Sequence, residues 1–217
     1  MNKKVKHIFF LASLFAVFAA ASCSRTVPEI PFGFIKLVLY EEEEGPREYY
    51  SFFILPEDDD GIENLDELYL YHDREQLRWL IKSDEWITYT QDDKTWIGSR
   101  SLSVLDGMTL PRGVYRAVLV NKGGERGERS FTFDAYPRYS FPELEIEEGM
   151  YTIRSEWPVN RLVGYDRAGN YSTTIIPQSF SGRVSQLNLS SAVRAVALWA
   201  EDEAHFTSAF TNVVPVR

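Results

Sequence analysis

The sequence predicts an all-β protein built from two β-sandwich domains in tandem. Aromatic residues make up 14% of the 217 residues, and aromatic residues are enriched in strands. Short apolar runs alternate with turn residues along the chain, and no long segment repeats its apolar residues with the 3.6-residue period of a helix. The one segment apolar enough to enter a bilayer lies at the N-terminus.

Residues 1–22 have the features of an export signal. Lys3, Lys4 and Lys6 precede an apolar run of fifteen residues from Ile8 to Ser22, which ends in small residues. As a helix this run would span about 22 Å, short of a hydrocarbon core of about 30 Å. The segment is therefore a signal peptide rather than a permanent membrane anchor.

The end of the signal, Ala20-Ala21-Ser22-Cys23, resembles the lipobox of bacterial lipoproteins. The resemblance implies that the Cys23 thiol receives a diacylglyceryl group and that cleavage and acylation occur at Cys23. Ala20 departs from the pattern, since the family prefers Leu there. The alternative is ordinary cleavage near Ala21, which leaves Cys23 as a free thiol. Because Cys23 is the only cysteine, no intrachain disulfide forms, and lipidation consumes a thiol that export would otherwise leave reactive.

Lipidation implies a cell-envelope location on a membrane. Two or more acyl chains hold a protein stably on a bilayer. Ser24 follows the cysteine, whereas enteric lipoproteins kept at the inner membrane have Asp there, so the resemblance favours the outer membrane. Residues 23–31 form the lipidated cysteine and a short tether with two prolines.

The charge of the chain excludes some partners. The chain has 23 Lys and Arg against 32 Asp and Glu, and three of the lysines lie in residues 1–22. The remainder therefore has 20 basic against 32 acidic side chains. This acidic balance argues against nucleic acid and against electrostatic docking on anionic lipid.

The first predicted domain covers residues 32–136, in which turn residues separate apolar runs. A helical turn is expected near Ile62 to Glu67, and Gln91-Asp92-Asp93-Lys94 is predicted to be a hairpin loop. The predicted strands are Phe32–Tyr40, Tyr49–Leu55, Leu68–Tyr71, Leu77–Ile81, Trp86–Thr90, Thr95–Ile97, Val114–Asn121 and Arg129–Phe133.

The segment Leu110 to Asp134 resembles the last two strands of fibronectin type III and other immunoglobulin-like domains. Within it, Leu110-Pro111-Arg112-Gly113-Val114-Tyr115 leads into a strand that is apolar on both faces. The resemblance implies that the Tyr115 hydroxyl bonds to backbone upstream, as a corner tyrosine does. The chain lacks the Cys…Trp…Cys framework, which excludes an antibody-type domain.

A second, smaller immunoglobulin-like domain is predicted over residues 138–217, after Tyr136-Pro137. Its Tyr165 to Asn170 segment is similar to the Asp-x-Ala-Gly-Asn turn of bacterial immunoglobulin-like modules, and the two domains are expected to pack together. The predicted strands are Gly149–Ser155, Arg161–Tyr165, Asn170–Ile176, Val184–Leu189, Arg194–Trp199 and Phe206–Val216.

Two groups of residues are candidate binding sites. Asp58, Asp60 and Glu67 fall at the third, fifth and twelfth positions of a calcium-loop pattern around Gly61, although its first position is Pro56. Weak calcium binding is one interpretation of this run, and a solvated acidic turn is the other.

Trp79, Trp86 and Trp96 lie within eighteen residues of each other. Exposed indoles could form a platform for sugar rings, while the alternation Leu77-Trp79-Ile81 favours packing in the core.

The pattern as a whole favours a non-catalytic module that binds or scaffolds envelope proteins. The alternative is a carbohydrate-binding lipoprotein that uses the tryptophans. No cofactor is predicted apart from the lipid on Cys23 and the weak calcium binding that is one interpretation of Asp58, Asp60 and Glu67. A protein-binding module predicts a contiguous exposed apolar patch on a sheet face or an edge strand.

Overall fold

The prediction of an all-β protein is confirmed. The computed structural model describes residues 26–105 and 109–216. In these residues sixteen strands form three sheets, and four short 3₁₀ helices lie between strands. Strands β1 to β8 are Glu29–Glu42, Gly45–Glu57, Leu65–His72, Leu77–Lys82, Ile87–Gln91, Lys94–Leu102, Gly113–Asn121 and Arg126–Phe133. Strands β9 to β16 are Glu143–Glu147, Met150–Arg154, Val159–Tyr165, Tyr171–Ile175, Ser181–Arg183, Ala195–Asp202, Thr207–Phe210 and Val214–Pro215.

A nine-stranded sheet runs through the molecule. Its order is β12-β11-β14-β15-β1-β2-β6-β5, and β16 pairs with β14. Neighbouring strands are antiparallel except β1 and β15, which run parallel with Leu37 opposite Thr207. This pair joins strands of both predicted domains in one sheet. The boundary between residues 136 and 138 stays a prediction.

Two smaller sheets cover one face of the long sheet. Sheet β4-β3-β7-β8 packs on its β1-β2-β6 part, where the buried side chains include Leu37, Phe52 and Leu119. Sheet β13-β10-β9 packs on its β11-β14 part, around Leu162 and Leu198. Because side chains alternate along a strand, both clusters lie on the same side of the long sheet.

The corner tyrosine is confirmed. The Tyr115 hydroxyl donates to the Pro111 carbonyl at 2.6 Å, and the ring is fully buried. The Tyr50 hydroxyl lies 2.9 Å from the same carbonyl and also within hydrogen-bond distance of the Tyr115 hydroxyl. The Tyr115 contact therefore ties the segment before β7 to the core, as the immunoglobulin-like resemblance implies.

The two turns singled out in the sequence are also present. Asp92 and Asp93 connect β5 to β6 with φ angles of 50° and 58°, the pattern of a type I′ turn. The Asp166 carboxylate accepts from the backbone N–H groups of Ala168 and Asn170 at 2.8 and 2.9 Å. These bonds, above all that from Asn170, hold the pKa of Asp166 below its usual range.

One strand prediction is wrong, and two strands were not predicted. Val184–Leu187 is a 3₁₀ helix, because the Gln186 side chain accepts from the Arg183 N–H and Asn188 ends the segment with a φ of 49°. The expected helical turn is the 3₁₀ helix Ile62–Asn64, after which β3 begins at once. The strands missed are β9 and β13, and the other 3₁₀ helices are Asp73–Glu75 and Glu203–His205.

Candidate binding surface

The predicted lipidation residue, Cys23, lies outside the described residues, but the start of the folded body is close to it. The Thr26 carbonyl accepts from the Asn121 side chain at 2.9 Å, and the Thr26 hydroxyl donates to Asp60 at 3.4 Å. Two residues, Ser24 and Arg25, therefore separate Cys23 from a residue held by the fold. Even fully extended, this link spans only about 11 Å.

The structure does not bring the three candidate calcium ligands together. The Asp58 carboxylate accepts hydrogen bonds from the Asp60 N–H at 2.9 Å and from the Asn64 side chain at 3.2 Å. These bonds stabilise the turn that contains Asp58. Glu67 lies on β3, where it accepts from the Tyr69 hydroxyl at 2.7 Å. Within residues 26–105 and 109–216, no three His, Cys, Asp or Glu side chains group as a metal site requires.

The three tryptophans do not form one platform either. All three are half-buried. Trp79 and Trp86 pack against the main core, and the Trp79 indole N–H donates to the Ser103 carbonyl at 2.7 Å. Trp96 instead contacts Phe34 and stacks on Tyr89.

We use the term open face for the side of the long sheet that faces away from the two smaller sheets. On β1, Ile35, Leu37 and Leu39 point into the core, so Phe34, Lys36, Val38 and Tyr40 point to the open face. The ring contacts and ion pairs of this face are made among its own side chains. No third layer of the described residues contributes to them.

A row of stacked side chains crosses the open face. Arg161, Trp199, Phe210, Tyr40 and Arg47 occupy facing positions on β11, β14, β15, β1 and β2. The Arg161 guanidinium lies 4.7 Å from the Trp199 ring, the Trp199 and Phe210 rings stack at 5.7 Å and 9°, and Phe210 and Tyr40 stack at 5.5 Å and 22°. We call this row the aromatic ladder. Rings stacked across strands turn their edges, rather than their faces, towards solvent.

A second aromatic group lies on the same face over β1, β2, β6 and β5. Phe34 contacts Phe53 at 5.9 Å and Trp96 at 5.7 Å, and Tyr89 stacks on Trp96 at 6.2 Å with an angle of 5°. Phe53 is almost fully buried beneath these neighbours. The neighbouring rings therefore shield apolar surface on this side of the sheet in place of a covering layer.

Basic side chains outnumber carboxylates between the two aromatic groups. The Glu201 carboxylate, 5% exposed, pairs with Lys36 and, at 2.6 Å, with Arg161. Arg47 pairs with Glu42 at 3.6 Å. Burial raises the pKa of Tyr40, and the charge of nearby Arg100 opposes that shift. The four cations Lys36, Arg47, Arg100 and Arg161 thus face two carboxylates here, on a chain whose net charge is −9.

Sequence reasoning from the tryptophans missed this surface. Trp96 was the only candidate residue that belongs to it. The available signal was that β1 and β2 are apolar at odd and even positions alike, in Phe34 to Tyr40 and Tyr49 to Leu55. That pattern indicates a strand shielded on both sides, but it does not say whether neighbouring side chains or another layer provide the shield.

Comparisons with known proteins show structural similarity at low identity. The 47-kilodalton lipoprotein Tp47 of Treponema pallidum is 11% identical, with a TM-score of 0.42 over 88% of this chain, and the match covers 52% of Tp47. Dimeric latent PorU of Porphyromonas gingivalis is 12% identical, with a TM-score of 0.33 over 89% of this chain and 21% of PorU. Murine CEACAM1b is 9% identical, with a TM-score of 0.26 over 86% of this chain and 99% of that protein.

These scores, all below 0.5, assign no function. This chain spans about half the length of Tp47. No family model and no curated protein matches the sequence. In the described part of the chain, no helix has the length and hydrophobicity that a bilayer crossing requires.

Proposed function

We propose that this protein is a lipid-anchored, non-catalytic protein of the bacterial envelope, and that the open face binds an acidic surface of a partner protein. The anchor is the lipid that the Ala20 to Cys23 motif implies. The observation that carries the binding role is an array of half-buried aromatic side chains and basic side chains on one side of a continuous sheet, which no layer of the described residues covers.

The residue types of the open face are those that dominate protein–protein interfaces. Tyrosine, tryptophan, phenylalanine and arginine are enriched at interfaces, and tryptophan, tyrosine and arginine carry most binding hot spots. From β11 to β5 the face crosses seven strands, or about 29 Å, and from Phe34 to Tyr40 it extends about 20 Å. This footprint of about 580 Å² is smaller than the roughly 800 Å² of accessible surface that each partner contributes to a standard interface, so it suits a small interface.

The orientation of the rings favours a protein over a carbohydrate. A sugar ring stacks on the face of an aromatic ring. In the aromatic ladder those faces are taken by neighbouring rings and by Arg161. Ring edges and tyrosine hydroxyls suit the mixed apolar and polar contacts of a protein surface better.

The position of the anchor favours a partner beside the protein rather than the lipid surface beneath it. Thr26 bonds to Asn121 and Asp60, at the end of the molecule that holds the acidic run Asp58 to Asp60. A lipid on Cys23 holds this end at the membrane. The strands then lead away from the bilayer, which leaves the open face turned sideways.

Charge defines the partner further. The excess of cations on the open face opposes pairing with a second copy of the same face and favours a negatively charged protein surface. Electrostatic complementarity of this kind mainly speeds association and selects the partner.

Site-specific photo-cross-linking in the producing cell tests the proposal. A benzophenone amino acid is placed at Phe34 or Tyr40 on the open face, and at Met150 on the third sheet as the control. We expect one partner to cross-link from both open-face positions and not from Met150. The double reversal Arg47→Glu and Arg100→Glu should remove most of that product, because it inverts the charge of the surface.

The same experiment run with Cys23→Ala tests the anchor. We expect this variant to leave the membrane fraction and to lose the cross-linked partner. Cross-linking of equal strength from Met150 would contradict the open face as the binding surface. Membrane recovery of Cys23→Ala at the level of the unchanged protein would contradict lipidation.

A further inference from the structure

The outer side of the second sheet, β4-β3-β7-β8, contains a depression lined by tyrosine and arginine. Strand register places Arg78, Tyr71 and Arg116 in one row across β4, β3 and β7, and Tyr69 and Val118 in the next. Arg126 and Glu128 of β8 complete the wall. We call this cavity of about 410 Å³ the tyrosine–arginine depression.

Two of the three arginines of the depression have no carboxylate partner among the described residues. Arg116 is neutralised, because it bonds to Asp73 at 3.0 and 3.1 Å and to Glu128 at 3.4 Å. Arg78 contacts only the Tyr69 ring, at 6.0 Å, and within residues 26–105 and 109–216 no carboxylate pairs with Arg78 or Arg126. Two guanidinium groups in one cavity therefore keep their donors free.

Tyr69 and Tyr71 form part of the wall of the depression, and the Tyr71 hydroxyl is one more hydrogen-bond donor. The Tyr69 and Tyr71 rings stack at 5.7 Å and 19°, with Arg116 4.7 Å from Tyr71, so the rings are held in place. The Tyr69 hydroxyl donates a hydrogen bond to the Glu67 carboxylate. The Tyr71 hydroxyl donates to no protein group among the described residues, so it remains available to a ligand.

We propose that the tyrosine–arginine depression binds an oxyanion, a carboxylate or a phosphate carried on a small polar molecule, through Arg78, Arg126 and the Tyr71 hydroxyl. Guanidinium groups recognise both oxyanions through paired charge-assisted hydrogen bonds. The site is separate from the open face and does not depend on the proposed partner.

Calorimetric titration of the full-length protein in detergent tests the site. The probes are sodium phosphate and sodium glucuronate, each at an ionic strength held constant with chloride, and neutral glucose is the control ligand. We expect at least one of the two anions to bind and glucose not to bind. Binding of phosphate alone indicates a phosphorylated ligand, whereas binding of glucuronate alone indicates an acidic sugar.

Matched variants locate the binding. Arg78→Gln with Arg126→Gln should weaken the anion about tenfold or more, because each substitution removes a hydrogen bond to a charged group. Tyr71→Phe should weaken it less, and Arg183→Gln, an exposed arginine of the third sheet, should have no effect. These side chains are exposed or half-buried, so circular dichroism should show an unchanged fold. Failure of both anions to bind, or unchanged binding by the double variant, would overturn the proposal.

Discussion

Two buried tyrosine hydroxyls show how single residues stabilise this fold. Tyr50 and Tyr115 share the Pro111 carbonyl as hydrogen-bond partner, and both rings are fully buried. A buried polar group that loses its partner costs about 1–3 kcal/mol. These hydroxyls should therefore contribute measurably to stability, although neither takes part in the proposed binding.

Tyr115→Phe should lower the free energy of unfolding by about 1–2 kcal/mol, because the hydrogen bond to Pro111 is lost while the ring still fills its place. Urea unfolding followed by tryptophan fluorescence measures the change. Tyr136→Phe is the matched control, since the Tyr136 ring is 61% exposed. Equal effects of the two substitutions would show that the corner hydrogen bond contributes nothing.

Tyr50 and Tyr115 also make the stability of the fold decrease at alkaline pH. Burial raises the pKa of Tyr115 to about 12, and burial together with the Tyr115 contact raises the pKa of Tyr50 as well. In the unfolded chain both hydroxyls ionise near pH 10. Between pH 10 and 12 the unfolded state therefore loses protons that the folded state keeps, and stability falls as the pH rises.

Unfolding measured at steps from pH 9 to 12 should show this fall, and Tyr115→Phe should make it shallower. Tyrosinate absorbance supplies a second readout, since Tyr50 and Tyr115 should ionise at higher pH in the folded protein than in the unfolded chain. An identical pH dependence for the protein and for Tyr115→Phe would contradict the assignment.

Sequence reasoning identified half of this pair. The resemblance of Leu110 to Asp134 to immunoglobulin-like strands pointed to Tyr115, whose hydrogen bond spans only four residues. Tyr50 was not identified, since its contact with Tyr115 joins positions 65 residues apart. Local sequence patterns carry no information about a contact of that range.

At the scale of a single element, the β5–β6 hairpin offers a direct test of turn chemistry. Asp92 and Asp93 both adopt a positive φ, which glycine tolerates far better than other residues. Asp93→Gly should raise the free energy of unfolding by about 0.5 kcal/mol, while Asp93→Val should lower it by about 1 kcal/mol. Thermal unfolding compares the two variants, and a stabilising Val would contradict the turn assignment.

The strands show where local pattern suffices and where it does not. Alternation and turn residues located most strands, because a strand needs only its own residues to show which positions are apolar. They failed at Val184, where a glutamine side-chain bond and a left-handed Asn188 replace strand geometry with a 3₁₀ turn. They also could not reveal the open face, since Trp199 and Phe210 become neighbours of Tyr40 only through the pairing of distant strands.

At the scale of the whole molecule, the parallel pair β1–β15 links two hydrophobic clusters that would otherwise have separate sheets. The Leu37 N–H donates to the Phe206 carbonyl at 2.8 Å, and pairing continues from Leu37 to Tyr40. The strands on both sides of this pair belong to different predicted domains. We therefore expect the described part of the chain to unfold in one cooperative transition.

Ser208→Pro should separate the two clusters. Ser208 is buried in β15 between β14 and β1, and proline within a central strand removes a ladder hydrogen bond and does not fit. Calorimetry should show a single peak for the unchanged protein and two for the variant. Val213→Pro, at an exposed position beyond β15, is the control. A single sharp peak for Ser208→Pro would show that the clusters are coupled by other contacts.

The hydrogen bonds of Thr26 to Asn121 and Asp60 also affect how a lipid-anchored form of this protein would encounter the proposed partner. With a lipid on Cys23, a link of about 11 Å keeps the folded body at the bilayer surface. The folded body then diffuses laterally with the lipid. As it rotates, the open face stays within the layer just above the membrane. Encounters become two-dimensional, so a partner held in the same layer is met at a high effective concentration. A modest intrinsic affinity would then suffice for a lasting complex.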